Sequence, residues 1–126
     1  MKSSQPVALV TGAGSGIGRA VAFKLGEEGV RVAICDRDQD SLEETSGAMS
    51  EQGIAVSAHF CDVSRRDQVD QVVQAILERH ERVDILVNNA GVSKRNPIDD
   101  SGDAIWHEIL ATNLNGVYFC SQSALL

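Results

Sequence analysis

The run Val7-Ala8-Leu9-Val10 leads straight into Thr11-Gly12-Ala13-Gly14-Ser15-Gly16-Ile17-Gly18, and this junction constrains the fold more than any other feature of the chain. A short apolar run reads as a buried strand. Behind the glycines, Ile17, Ala20, Val21 and Leu25 recur at helical spacing. Strand, glycine turn and helix in that order form the phosphate-binding entry of a dinucleotide fold. Gly12 allows the sharp exit from the strand, Gly16 lets backbone approach a pyrophosphate, and Gly18 lets the helix pack against the sheet. The unpaired N–H groups of the first helical turn face the anion, which makes Ser15 and Ile17 candidate binding residues beside the glycines.

Strand and helix signals then alternate along the chain. Residues 7–10 read as the first strand and 15–28 as the first helix, with Gly29 as its stop. Residues 30–36 are the second strand, 40–52 the second helix stopped by Gly53, and 55–61 the third strand. Ser64 and Asp67 resemble a capping box, opening a helix whose apolar face is Val69, Val72, Val73, Ile76 and His80. Residues 83–87 are the fourth strand. The strands at Val7 and Ile85 are nearly continuous apolar runs, the pattern of parallel strands covered on both faces. The order predicts an α/β fold: a doubly wound, Rossmann-like parallel sheet of four strands in spatial order 3-2-1-4. A polar loop follows over 93–103, with Pro97 and Gly102. Helical spacing returns with Ile105, Ile109 and Thr112, then with Leu114, Val117, Ser121 and Leu125.

Composition narrows the function classes. The 126 residues suffice for one domain, and the net charge of −7 with 4% aromatic residues argues against a nucleic-acid platform. No apolar stretch approaches a membrane span and no signal-peptide pattern opens the chain, so the expected location is cytoplasmic. Cys35, Cys61 and Cys120 form no CxxC pair and read as small buried thiols. His59, His80 and His107 show no metal-ligand spacing, and no metal site is expected.

Four signatures in order resemble the short-chain dehydrogenases/reductases from end to end: the Thr11–Gly18 turn, which matches the TGxxxGxG pattern, Asp36 at the end of the second strand, Asp62-Val63 after the third, and Asn88-Asn89-Ala90-Gly91 after the fourth. Asp36 stands 24 positions beyond Gly12, close to the ~20-residue offset of a ribose-binding carboxylate. A carboxylate there accepts from ribose hydroxyls and repels a 2′-phosphate, favouring NAD over NADP. Arg37 works the other way, since a guanidinium pairs with that phosphate. The resemblance further implies that Asp62 accepts from the adenine amino group while Val63 N–H meets a ring nitrogen. It places Asn89, Ala90 and Gly91 at the nicotinamide ribose, with Asn88 either structural or in contact. Asn113 falls where the family keeps a catalytic-site asparagine that holds a water in a proton relay; helix-kink bonding to local backbone is the other reading.

The resemblance also shows what these residues lack. Family chemistry uses a serine and a YxxxK pair on one helix. The single tyrosine, Tyr118, has Gln122 four positions on and reads as a packing residue. The helical run reaches Leu126 with no glycine, proline or polar stop. The expectation is a single dinucleotide-binding domain over 1–126, incomplete at its C-terminus, with an uncovered edge on the fourth strand. The whole protein would then transfer hydride between a nicotinamide cofactor and an alcohol/ketone pair, as a homo-oligomer. The alternatives are a non-catalytic nucleotide-binding module and one half of a split enzyme.

Overall fold

The structure, a computed structural model, describes residues 5–92 and 102–125. Most of the loop expected over 93–103 lies outside the described residues; its last two positions, Gly102 and Asp103, already belong to a helix. Four parallel strands, β1 (Val7–Thr11), β2 (Arg31–Asp36), β3 (Val56–Phe60) and β4 (Ile85–Val87), lie in the order β3-β2-β1-β4. This is the expected topology.

β1 is buried over its whole length because both of its faces are covered. Val10, with Val32 and Ile34 of β2, packs against Ala22 of α1 (Gly16–Glu27) and against Leu42 and Met49 of α2 (Gln39–Glu51). Val7 and Leu9, with Ala33 and Cys35, pack on the other face against Val69, Val72, Val73 and Ile76 of α3 (Arg66–His80). The helical face read from sequence is therefore the buried one, though His80 is only half-buried. Gly29 and Gly53 follow α1 and α2 at φ of +87° and +77°, the left-handed geometry that ends a helix.

Three local expectations are corrected. The Ser64–Asp67 capping box does not form: Arg65 is the N-cap of α3 without a side-chain cap bond, and the Ser64 hydroxyl donates to Asp62 Oδ1 at 2.7 Å. A charged carboxylate is the stronger acceptor and holds the hydroxyl away from the helix. β4 begins at Ile85 rather than Val83, because the Asp84 carboxylate accepts Val7 N–H at 2.8 Å and is gripped by Arg82. β4 is also only half-buried, as the edge strand of the sheet.

The third correction concerns the last helices. α4 (Gly102–Leu110) and α5 (Gly116–Leu125) are joined by a π-helical turn, Ala111–Asn115. A π turn takes an extra residue and rotates the helix face that follows it. Thr112, Gly116 and Cys120 point inward, whereas Leu114 is 62% and Leu125 85% exposed. Tyr118 is exposed as well, its ring under the Arg66 guanidinium, and is not a core packing residue.

Candidate functional site

The C-terminal ends of β1, β2, β3 and β4 open into one cleft of about 320 Å³. This is the position at which open parallel sheets bind ligands. Gly12 and Ser15 form one side, Asp36 and Arg37 the next, Asp62 and Val63 the far side, and Asn89 to Gly91 the end nearest β4.

The glycine turn is fitted closely to β4. Gly12 has φ of +64°, and a Cβ there would meet the Ala90 Cα at 2.8 Å. Gly18 is buried against the same place: a Cβ would strike the Gly12 carbonyl and the Asn89 amide. Its smallness thus seats α1 on the turn rather than on the body of the sheet, a refinement of the sequence reading. Gly16 is different. It has φ of +58°, with nothing near a would-be Cβ, so its freedom serves conformation and open access. Ser15 caps α1 in an extended conformation and its side chain makes no cap bond. Ile17 is 76% exposed at the positive end of α1. Gly16, Ile17 and Gly18 follow Ser15 at the mouth of the cleft without lining it.

Asp36 does two jobs at once. Its Oδ2 accepts Gly14 N–H at 2.9 Å and its Oδ1 accepts Asp38 N–H at 2.9 Å. Each oxygen keeps a lone pair for a further donor. Arg37 is exposed beside it on the cleft wall. Asp38 and Ser41 line the cleft too and were missed; Asp38 caps α2 by accepting Ser41 N–H at 3.1 Å. The capping aspartate before a helix was the available signal.

The Asn88–Gly91 segment is more structural than the sequence indicates. Asn88 donates to Ser121 Oγ of α5 at 3.2 Å, and Asn89 Nδ2 donates to the Gly12 carbonyl at 3.2 Å. Thr11 completes the seam: its hydroxyl accepts the N–H groups of Asn89 and Ala90, at 3.0 and 2.9 Å. Asn113 lies in the π turn with both amide atoms on Val92, accepting its N–H at 2.7 Å and donating to its carbonyl at 2.9 Å. It does not line the cleft, although its neighbour Thr112 and its partner Val92 do. Neither Thr112 nor Val92 carries a motif that sequence reasoning could have used.

Cys61 also lines the cleft, and all three thiols are free and buried. Burial pushes Cys120 up to about 12. A hydrogen bond between the Cys35 and Cys61 thiols raises Cys35 well above the ordinary thiol value and lowers Cys61. Among the described residues, no group of three His, Cys, Asp or Glu side chains is placed to hold a metal, and no helix is long and apolar enough to cross a membrane.

The family pattern described as short chain dehydrogenase matches residues 6–126. The chain belongs to the short-chain dehydrogenase family. A Staphylococcus epidermidis protein named 3-oxoacyl-acyl-carrier-protein reductase is 36% identical over 116 residues, 91% of this chain and 48% of that protein. A 3beta-hydroxysteroid dehydrogenase of Mediterraneibacter gnavus is 37% identical over 119 residues, 94% of this chain and 43% of that one. Among solved structures, a variant of actinorhodin polyketide ketoreductase with NADPH superimposes with a TM-score of 0.94 at 38% identity, over 99% of this chain and 48% of that one. A metagenomic short-chain oxidoreductase in complex with NADP gives 0.90 at 36% identity, over 95% and 55%. This short-chain dehydrogenase chain spans about half the length of the curated relatives it matches.

Proposed function

We propose that this chain is the nicotinamide-dinucleotide half of an oxidoreductase that moves hydride between the cofactor and an alcohol/ketone pair. The observation that carries the reading is the convergence of Gly12 and Ser15, Asp36, Asp62 with Val63, and Asn89 to Gly91 on one cleft at the strand ends. The residues fit the cofactor on their own chemistry. First-turn N–H groups of α1 suit a pyrophosphate, the free lone pairs of Asp36 suit ribose hydroxyls, and the small residues Ala90 and Gly91 on the cleft lining suit the approach of a second ribose to backbone. When bound, the nicotinamide supplies the hydride chemistry. Asn113 grips Val92 through both amide atoms and, among the described residues, keeps one N–H and one lone pair for the relay water that the resemblance assigns to it.

No YxxxK pair occurs in these 126 residues, since the single tyrosine, Tyr118, has Gln122 four positions on. The reading places the acid/base outside residues 1–126. NAD is the preferred cofactor on the strength of the Asp36 carboxylate, although two similar structures hold NADPH or NADP. The alternatives are a non-catalytic nucleotide-binding module and one half of a split enzyme. Calorimetric titration of the chain with NAD and NADP tests the proposal. Saturable binding that Asp36→Ala and Gly16→Val both weaken supports it, and absence of binding by the folded chain overturns it.

A further inference from the structure

The loop between β3 and α3 holds Asp62 through four hydrogen bonds. Ser64 donates twice to one oxygen of Asp62: its N–H reaches Oδ1 at 3.0 Å and its hydroxyl at 2.7 Å. Gln68 Oε1 accepts Asp62 N–H at 2.8 Å, and the Asp62 carbonyl accepts Arg65 N–H at 3.0 Å. Among the described residues, Asp62 Oδ2 and Val63 N–H make no hydrogen bond. Every other polar group of Asp62 is engaged, so two successive residues of the cleft lining keep one acceptor and one donor between them. α5 backs this arrangement closely, since a Cβ on Gly116 would meet Val63 Cγ2 at 2.6 Å.

An acceptor beside a donor reads a base edge of the opposite order. A 6-aminopurine offers an amino donor next to the N1 acceptor, which suits Oδ2 and the Val63 N–H. A 6-oxopurine reverses both, setting acceptor against carboxylate and donor against N–H. The mismatch matters only while the carboxylate is held. A carboxylate free to turn would admit a water that bridges to the oxo group and softens the discrimination. The two Ser64 bonds at Oδ1 oppose that rotation, and Gln68 fixes the backbone from which the side chain springs.

We infer that Ser64 and Gln68 are positioning residues that make the cleft selective for a 6-aminopurine base over a 6-oxopurine. The inference rests on the dinucleotide reading above and deepens it. The test is calorimetric titration of the 1–126 chain with NAD and with nicotinamide hypoxanthine dinucleotide, whose 6-amino group is replaced by oxo. The unaltered chain is expected to prefer NAD by about tenfold or more, from the loss of a charge-assisted bond. Ser64→Ala and Gln68→Leu each lower that ratio by about threefold or more, while Ser64→Thr, which keeps both donors, preserves it. The ratio is the informative readout, because a merely structural role would lower affinity for both ligands alike. Folded variants with an unchanged ratio overturn the inference and leave the Asp62 reading standing. An unaltered chain that binds both ligands equally overturns base recognition by Asp62 and Val63, and the inference with it. An unaltered chain that binds neither overturns the dinucleotide reading and everything resting on it.

Discussion

Asp36 Oδ2 accepts the N–H of Gly14 at 2.9 Å across 22 residues of sequence, fastening the glycine turn to the end of β2. The Asp36 carboxylate and the glycine turn are thus held together as one unit. Crowding reinforces the bond, since a Cβ on Gly14 would lie 2.8 Å from the same oxygen.

Asp36→Ala is therefore expected to change two properties together. Removing both acceptors costs about 1–3 kcal/mol of stability, because the Gly14 and Asp38 N–H groups lose charged partners. The preference for NAD over NADP narrows as repulsion of the 2′-phosphate disappears. Thermal melts and paired titrations check both, and tighter NADP binding by the unaltered chain would refute the NAD preference.

The glycines of the turn separate access from packing. Gly16→Val is expected to abolish dinucleotide binding while costing about 1–2 kcal/mol, the strain of a branched residue at positive φ. Gly18→Leu is expected to cost more, about 3 kcal/mol, because its side chain would enter the space of the Gly12 carbonyl and the Asn89 amide. Denaturant melts rank the two, and normal binding by the Gly16 variant would show that the pyrophosphate lies elsewhere.

Thr11→Val tests the seam between β1 and β4. The isosteric change leaves the Asn89 and Ala90 N–H groups without the hydroxyl acceptor they share. A loss of about 2 kcal/mol is expected, with weaker dinucleotide binding at the nicotinamide end. A variant as stable as the parent would mean that those amides find another partner.

Stability should also fall as the solution is acidified below neutrality. Burial lowers the pKa of His59, which shares a 3.0 Å hydrogen bond with Ser57, and burial likewise lowers that of His80. A histidine with a depressed folded pKa binds fewer protons in the native state than in the unfolded one. Its contribution is therefore complete above the unfolded value of about 6.5 and declines as pH drops toward the folded pKa. Melting temperature measured from pH 8 to 5 is expected to decline, less steeply in His59→Gln. Equal slopes for the two proteins would remove His59 from the explanation.

The chain alone is expected to reduce no ketone and oxidise no alcohol above background, because a proton must be delivered in step with hydride and no tyrosine–lysine pair is present. A cofactor-absorbance assay over a panel of alcohols and ketones measures this. Robust turnover abolished by Tyr118→Phe would make Tyr118 the acid/base. Turnover that appears only on adding a chain with the serine and YxxxK would favour the split enzyme.

The sequence by itself determined the strand order, the two-faced burial of β1 and the position of the glycine turn, because each is written as a local pattern of apolar period or turn chemistry, while Asp62 and Asn89 were legible only through the family resemblance. What it could not determine depended on partners far along the chain. Ser64 satisfies a capping pattern on paper, yet its hydroxyl turns to the stronger carboxylate acceptor of Asp62. Asn89 has the composition of a ligand contact, yet its amide holds Gly12 across 77 residues. The apolar spacing through Leu114 and Leu125 names an exposed face, whereas Thr112, Gly116 and Cys120 are the buried ones, and Asn113 bonds to Val92 from within the π turn at Ala111–Asn115. Periodicity records which residues share a helix face; only the tertiary structure decided which face is covered and which distant polar groups meet there.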